Sequence, residues 1–474
     1  MEQSSTHNGI GAAEGNGNEG FLSRPLSRRR LLGTGLGAAA GAALFGSGLG
    51  GVASASGLGR RPSLFADSAR APSDFVFSTW GNYKLYQSGY QMMQAALPEY
   101  RKVPFVSHEA AGSTQLREQI TTGFVGHDYS SLPNVCEVAW TDIGYLATAG
   151  TLMDLTSYLK PYTSQISSAV LDAVTVDGKI MACPWRPNTV LYWYNHKVLS
   201  EAGIDGASLD TYDQYIAAGK TLAAYKFSDG KQRYLNTTDT SPSYATWFLT
   251  QLGGTLFNKT GAVSDFRNSD KFKNSFELQV ELAQQPLSLS MNQYQASWFQ
   301  ALGDGLIATV LLPNWMDQEL RENVPQGSGD WRVGEMPAFN GGGNRKALYG
   351  AGVVVALDTP NADMDLNWQF MQKSFYDHAI TPKLFTAYSS EPCWYPVEYK
   401  VGYHSALPYY GGQDPGAVDI TVQHGAYEET GSPSYAQVTA ILSTALSKAI
   451  SGTSVPDAIS YAWSTIVQQK IPVA

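Results

Sequence analysis

From residue 74 onward, short apolar runs alternate with segments in which apolar residues recur at every third or fourth position. Runs such as DFVFSTW, VPFVSHEA and LPNVCEVAW are typical of buried strands, whereas SGYQMMQAALPEYRK and TQLREQITTGF have the period of a helix. The run VTVDGKIMAC contains an Asp-Gly pair of the kind that closes a hairpin. The alternation predicts an α/β protein built from βαβ units around a parallel sheet.

Further along, the pattern becomes richer in helices and then returns to strands. TVLYWYN is typical of a strand, and SLDTYDQYIAAGKTLAAY of an amphipathic helix capped by Asp210 or Thr211. Residues 236–335 are mostly helical by period, and strands follow in DGLIATVLLPNW, WRVGEMPAF and ALYGAGVVVAL. A chain of 474 residues exceeds what one core usually serves. Since no Pro-rich or Ser-rich linker divides it, we expect two lobes between which the chain crosses more than once.

Charge and composition narrow the range of functions that the protein can have. The net charge of −9 argues against a sequence-independent grip on nucleic acid, so no nucleic-acid partner is expected. Aromatic residues make up 12% of the chain, including 11 Trp and 27 Tyr. That is more ring surface than packing alone needs, and rings on this scale often serve recognition.

Residues 1–71 are interpreted as an export signal and linker. Ser27 to Leu32 reads SRRRLL, which resembles a twin-arginine signal, and a Gly/Ala-rich apolar stretch follows up to Val52. Ala53-Ser54-Ala55 offers a small-residue cleavage pattern, although an uncleaved membrane anchor is the alternative. The pattern predicts an exported protein, extracellular or periplasmic.

The sequence contains no complete motif for a metal site, a reactive thiol or a cofactor. The three cysteines, Cys136, Cys183 and Cys393, fit no zinc spacing and allow one internal disulfide at most, with Cys183 to Cys393 as the pair considered. His108-Glu109 lacks the second histidine of a metalloprotease motif, and the stretch from Asp363 lacks the glycine and glutamate of a calcium loop. We therefore expect no metal, no cofactor and buried, unreactive thiols.

Several local patterns occur in an order that resembles one protein family. They are SSLPNVCEVAW, TAGTLMDLTSYL, VDGKIMACPW, LYWYNHKVLSEAGI, LGDGLIATVLLPNW, WRVGEMPAFNGGG and YGAGVVVALDTPNAD, covering roughly residues 74–470. Together they resemble the bacterial extracellular solute-binding proteins of the sugar-binding group, to which maltose-binding protein belongs. The resemblance implies a monomer with a two-lobed periplasmic-binding-protein fold, whose lobes close like a hinge on a carbohydrate that a membrane ABC permease imports.

The resemblance also implies how the chain divides. Lobe 1 would comprise residues 72–182 and 336–376, and lobe 2 residues 183–335 and 377–474, with crossings near 180–184, 333–337 and 375–380. Many relatives from Gram-positive bacteria carry a lipid-attachment cysteine just after the signal. This chain has no cysteine before Cys136, which favours free secretion or periplasmic residence over tethering.

A sugar presents apolar C–H faces ringed by hydroxyls, so its site needs flat rings beside carboxylate, amide or guanidinium groups. Such combinations follow the predicted strands, at the edge where open α/β sheets bind ligands. The candidate ligand-binding residues are Trp80, Asn82, Tyr83, Trp140, Asp142, Trp185, Arg186, Asn188, Tyr244, Trp247, Trp298, Asn314, Trp315, Tyr349, Gly350, Glu391 and Trp394. Two have alternative roles: Asp142 as the cap of the next helix, and Arg186 as one half of an ion pair across the hinge.

The prediction from sequence is a receptor without enzymatic activity. A secreted carbohydrate-active enzyme is one alternative, with Asp142 and Glu391 as its two carboxylates. A receptor for a polyol, a glycerophosphodiester or a polyamine is another, and a cleft ringed by carboxylates would favour the polyamine. Replacing Trp185 by alanine is expected to weaken binding without unfolding the protein.

Overall fold

The computed structural model describes residues 74–474, except for 82, 239, 285, 342, 389, 401–404 and 428–429. The predicted export signal lies outside the described residues. None of the helices in the described ranges has the length and apolar character that crossing a membrane requires.

The described residues form strands β1 to β9 and helices α1 to α16, numbered along the chain. The strands are Phe75–Thr79, Phe105–Glu109, Val135–Val138, Thr175–Val176, Lys179–Ile180, Cys183–Asn195, Thr309–Pro313, Trp331–Gly334 and Ala347–Ala356. The helices are Lys84–Ala96, Ser113–Gly126, Ile143–Thr148, Thr156–Leu159, Ser168–Ala173, His196–Glu201, Tyr212–Ala224, Ser243–Gln251, Asp270–Leu282, Ala296–Gly303, Met316–Asn323, Met364–Phe375, Thr381–Ala387, Pro415–Gln423, Tyr435–Ile450 and Val455–Gln468.

Local sequence chemistry explains several of these boundaries. The Thr211 side chain accepts from the backbone of Gln214, and the Gln214 side chain accepts from the backbone of Thr211, so a capping box begins α7. Asp177 and Gly178 both have positive φ, of 51° and 75°, between β4 and β5. This is the turn geometry that the Asp-Gly pair predicts.

One sheet runs through the described chain in the order β2-β1-β3-β9-β6-β7, and β8 also pairs with β6. β1 is parallel to β2 and to β3, as the βαβ pattern predicts. β9 is antiparallel to both β3 and β6, and β6 is antiparallel to β7 and β8. The predicted parallel sheet is therefore correct for three strands only, and the whole sheet is mixed.

Two hydrophobic cores flank the long strands β6 and β9. The first core contains Phe75, Trp185 and Val353, whereas the second contains Val190 and Ala347. β6 and β9 pair from Cys183 opposite Val354 to Val190 opposite Ala347, so both strands pass from one core to the other. The chain thus passes between the two cores inside β6 and β9, and the division into lobes with crossings near 180–184, 333–337 and 375–380 stays a prediction.

The cores also group the last helices differently from the predicted lobes. Leu384 and Phe385 of α13, and the buried faces of α15 and α16, belong to the first core, together with Phe272 and Phe276 of α9. The resemblance assigns residues 377–474 to lobe 2. Since α9 also places Leu278 and Leu282 in the second core, that helix contributes to both cores.

Candidate functional site

A cavity of about 680 Å³ lies between the two cores. First-core residues such as Tyr86, Trp140 and Trp185 form one wall, and the end of β7 with helix α11 forms the opposite wall. The candidates from sequence that line it are Trp80, Trp140, Trp185, Arg186, Asn188, Asn314, Trp315, Tyr349 and Glu391. Residues that far apart in the chain meet here because β6 and β9 bring both walls together.

Irregularities in β6 orient two of these side chains. The pairing of β6 with β9 shifts register twice, once between Pro184 and Arg186 and once between Pro187 and Thr189. Trp185 and Asn188 are the residues skipped at these two bulges. A bulge re-aims a side chain out of the regular alternation, which explains how Trp185, Arg186 and Asn188 all line one cavity.

The rings form a connected aromatic frame around Tyr349. Its ring contacts Trp140 at 5.7 Å, Trp315 at 6.2 Å and Trp247 at 5.5 Å between centroids, each edge to face. Trp247 lies behind Tyr349 rather than in the cavity wall. Edge-to-face packing fixes the orientation of the rings, so the apolar faces that remain open in the cavity are pre-organised.

Arg186 is the basic side chain of the described cavity wall. Its guanidinium carbon lies 4.6 Å from the Trp185 ring and 5.9 Å from the Trp315 ring, which places the cation between aromatic faces of the two walls. It forms no ion pair within the described residues. The expected alternative, an ion pair across the hinge, is therefore not seen there.

Two glycines of β9 let these side chains approach the strand. A Cβ on Gly352 would lie 2.7 Å from Cγ of Arg186, and a Cβ on Gly350 would lie 2.3 Å from the Trp140 ring. Gly350 itself is not part of the cavity wall, although it was a candidate from sequence. Its contribution to the site is the room that it leaves for Trp140.

A polar corner lies beside the rings, formed by Asn188, Asn314 and Asp419. The Asn314 amide donates to the Pro187 carbonyl and to Asp419, both at 2.9 Å, and the Asn188 amide donates to the Tyr349 carbonyl at 3.1 Å. The Thr189 hydroxyl donates to the other oxygen of Asp419. Both asparagine side-chain oxygens are buried and have no hydrogen-bond partner among the described residues.

Sequence reasoning missed the carboxylates Glu137 and Asp419, which both line the cavity. Glu137 accepts from the Thr79 hydroxyl, and burial raises its pKa although that hydrogen bond and the charge of Arg186 oppose the rise. A signal for Glu137 was present, because it is the one charged residue within the apolar run VCEVAW. Asp419 lies within α14, far along the chain from the end of every strand, and no local sequence pattern marks it.

Several candidates lie outside the cavity wall. Asp142 accepts from Arg117 at 2.7 Å; it is the N-cap residue of α3, but its side chain makes no capping hydrogen bond and does not line the cavity. Trp298 is fully buried and donates to Thr237 at 2.9 Å. Trp394 donates to Gln165 at 2.8 Å. These three side chains are already engaged by protein partners, which is what holds them away from the cavity.

The remaining candidates have simpler outcomes. Tyr244 packs against Trp247 at 4.9 Å, behind the aromatic frame. Tyr83 precedes α1 and is half-buried, but it does not line the cavity. Asn82 lies outside the described residues. The loop after β1 thus contributes Trp80 and Gly81 to the described wall.

A sequence model of the family described as bacterial extracellular solute-binding protein matches residues 101–392. The chain belongs to this family. This match confirms the family resemblance that the order of motifs predicted.

Among curated relatives, the arabinooligosaccharide-binding protein of Halalkalibacterium halodurans is 23% identical over 253 residues. The match covers 52% of this chain and 55% of that relative, so the solute-binding protein aligns with only about half the length of the relative.

Solved structures share the fold. The GacH receptor of Streptomyces glaucescens, solved in complex with acarbose, superposes with a TM-score of 0.68 at 15% sequence identity. The superposition covers 83% of this chain and 97% of the GacH chain. The galacto-N-biose-/lacto-N-biose I-binding protein of Bifidobacterium longum has a TM-score of 0.65 at 18% identity, covering 86% of this chain and 100% of its own. The predicted two-lobed α/β fold is confirmed by these likenesses.

The cysteines of the solute-binding protein are all buried and free. Burial raises the pKa of each thiol. The Tyr376 hydroxyl lies within hydrogen-bonding reach of the Cys183 and Cys393 thiols. The considered Cys183 to Cys393 disulfide is absent, and the thiols lack the depressed pKa of reactive cysteines.

Asp419 is expected to make the stability of the protein depend on pH. Burial raises the pKa of Asp419 to about 7 from 3.8, against hydrogen bonds from Thr189 and Asn314 and the charge of Arg186. Between these two values the folded state holds a proton that the unfolded state releases, so the free energy of unfolding should fall as the pH rises from about 4 to about 7. Asp419→Asn removes this contribution to the slope.

Denaturant unfolding at a series of pH values from 4 to 8 measures that slope. In Asp419→Asn the new amide would face the Asn314 amide donor, which changes the free energy of unfolding at every pH. The change of that free energy with pH, rather than its absolute value, is therefore the readout. Asp365→Asn, at an exposed position of α12, is the matched control and should keep the wild-type slope. An unchanged slope in Asp419→Asn would show that Asp419 is ionised throughout this range.

Proposed function

We propose that the protein is the receptor of an ABC importer, and that it binds a sugar or oligosaccharide in the cavity between its lobes and releases it unchanged. The observation that carries this proposal is the combination in one cavity of open aromatic faces with buried amide oxygens that lack partners. Rings match the C–H faces of a sugar, and the oxygens accept from its hydroxyls. A cavity of about 680 Å³ is in the range of small-molecule sites.

Contacts from both walls supply a mechanism for closure. Trp140 and Trp185 belong to the first core, whereas Asn314 and Trp315 follow β7, whose strand belongs to the second core. A solute that touches both sets is held best when the walls are close together. Only that difference in affinity can shift the protein toward a closed state.

The names of the relatives support the class of solute. Proteins described as binding arabinooligosaccharides, lacto-N-biose and acarbose share the family or the fold. For the wider biology we propose export by the twin-arginine route, a free monomer outside the cytoplasm, and a membrane ABC permease as partner.

The enzymatic alternative has less support. Of its two expected carboxylates, Glu391 lines the cavity, but Asp142 is paired with Arg117 outside it. The described residues contain no cluster of His, Cys, Asp and Glu suited to a metal ion. A binding role needs neither feature.

We expect at least one saccharide to raise the melting temperature of the purified protein. A panel of mono- and oligosaccharides, including arabino-, galacto- and malto-oligosaccharides, is screened by thermal shift; a ligand at 100 times its Kd should add about 2.7 kcal/mol of stability. Trp315→Ala should abolish the shift, because this half-buried ring lines the cavity.

Trp368→Ala is the matched control, since Trp368 is also half-buried but packs on Tyr158 away from the cavity. Its ligand-induced shift should equal that of the wild type. If a polyol, a glycerophosphodiester or a polyamine stabilises the protein and no saccharide does, the proposed solute is wrong. Formation of a product from any saccharide would contradict a purely binding role.

A further inference from the structure

The cavity wall carries more negative than positive charge. Five carboxylates line it, against the single guanidinium of Arg186 among the described residues: Glu137 on β3, Glu319 and Glu322 on α11, Glu391, and Asp419 on α14. Glu137, Glu319, Glu322 and Asp419 each lie more than 4.0 Å from every described basic nitrogen. Arg186 acts on Glu137 and Asp419 only through its longer-range charge.

The partners that these carboxylates do have are neutral. Glu137 accepts from a threonine hydroxyl, and Asp419 accepts from a threonine hydroxyl and an asparagine amide. Neutral donors satisfy hydrogen-bonding capacity without cancelling charge, and an uncompensated carboxylate is costly to bury.

On α11 the excess of charge repeats along one helix face. Glu319 and Glu322 are three residues apart, where side chains of like charge repel each other. Each accepts from an amide of its own helix, Glu319 from Asn323 and Glu322 from Gln318, both at 2.9 Å. The nearby cation Arg321 is engaged with Asp317 instead.

The polar corner is also rich in acceptors. Asn188 and Asn314 are 5% and 7% exposed, and their amide nitrogens already donate to the Tyr349 and Pro187 carbonyls, which fixes both side-chain oxygens as the free acceptors. Their neighbour Asp419 is fully buried and accepts from Thr189 and Asn314. One hydroxyl donates a single hydrogen bond, whereas an ammonium group donates three and carries the missing positive charge.

We propose that the solute is a saccharide bearing at least one free amino group, and that its ammonium binds at the corner formed by Asn188, Asn314 and Asp419. This inference rests on the proposed function. Tyr349 lines the cavity beside that corner, since its carbonyl accepts from the Asn188 amide, and an aromatic ring favours a cation over a neutral group.

Isothermal titration with matched sugars tests the inference. Oligomers of glucosamine and of galactosamine are compared with their N-acetylated counterparts, which have the same rings and linkages but no charge. We expect an amine form to bind at least about tenfold more tightly than its acetylated form, and added salt to reduce that ratio.

Variants locate the effect. Asp419→Asn and, separately, Glu322→Gln should lower the ratio of the two affinities, whereas Glu281→Gln, at an exposed position of α9, should leave it unchanged. Glu322 is exposed, so its variant remains informative if Asp419→Asn fails to fold. If neutral saccharides bind as well as or better than the amines, the amino group is ruled out and the saccharide receptor stands. If none of these saccharides binds, the inference fails, and the proposed function fails with it only if no saccharide of the thermal-shift panel stabilises the protein.

Discussion

Trp185→Ala is expected to lower the free energy of unfolding by about 3 to 5 kcal/mol, the usual cost of truncating a large buried ring. Trp185 is 4% exposed although it lines the cavity. Its ring stacks on Phe375 and meets Tyr86 and Phe385 edge to face, with centroids 5.8 to 5.9 Å apart. The sequence suggested a ring that can be removed without unfolding the protein, but this packing makes Trp185 part of the first core.

Chemical denaturation of the variant measures the loss. Trp315→Ala is the internal comparison, because Trp315 lines the same cavity but belongs to neither core and is half-buried. It should lose less stability than Trp185→Ala while losing ligand-induced stabilisation. Equal stability of Trp185→Ala and wild type would mean that the first core closes over the vacated space.

The elements of the fold could be predicted from the sequence because their signals are local. The apolar runs around Phe75, Val135 and Val353 each became a strand, and Thr211 caps α7. The direction of β9 could not be predicted in this way, because an apolar run has the same appearance in a parallel and an antiparallel strand. The passage of the chain between the two cores left no signal for a related reason: it occurs within two regular strands, β6 and β9, and makes no break in the pattern.

The candidate site was predictable only in part, because it combines local and distant features. A ring or an amide at a strand end, such as Trp140 or Asn314, is visible in the sequence. Whether a ring faces the cavity depends on partners far along the chain, as Trp298 and its acceptor Thr237 show. Asp419 reaches the site from a helix, through contacts with Thr189 and Asn314 more than 100 residues away in the chain.

Gly350→Ala is expected to destabilise the protein by about 3 kcal/mol and to displace Trp140 from the cavity wall. Two effects combine. Gly350 has a φ of 57°, and the left-handed region costs an alanine about 1 to 2 kcal/mol. The new Cβ would also lie 2.3 to 2.5 Å from three atoms of the Trp140 indole, and overpacking of this kind costs about 1 to 3 kcal/mol.

Gly150→Ala separates these two effects. Gly150 has a φ of 69°, and a Cβ there would meet nothing within 4 Å, so this control carries the backbone cost without the collision. Because Trp140 packs edge to face on Tyr349, its displacement in Gly350→Ala should also change ligand affinity, whereas Gly150→Ala should bind normally. Denaturant unfolding and calorimetric titration of both variants measure the two outcomes. Equal losses of stability in the pair, with wild-type affinity in each, would show that the indole yields without consequence and that Gly350 is required for its backbone conformation alone.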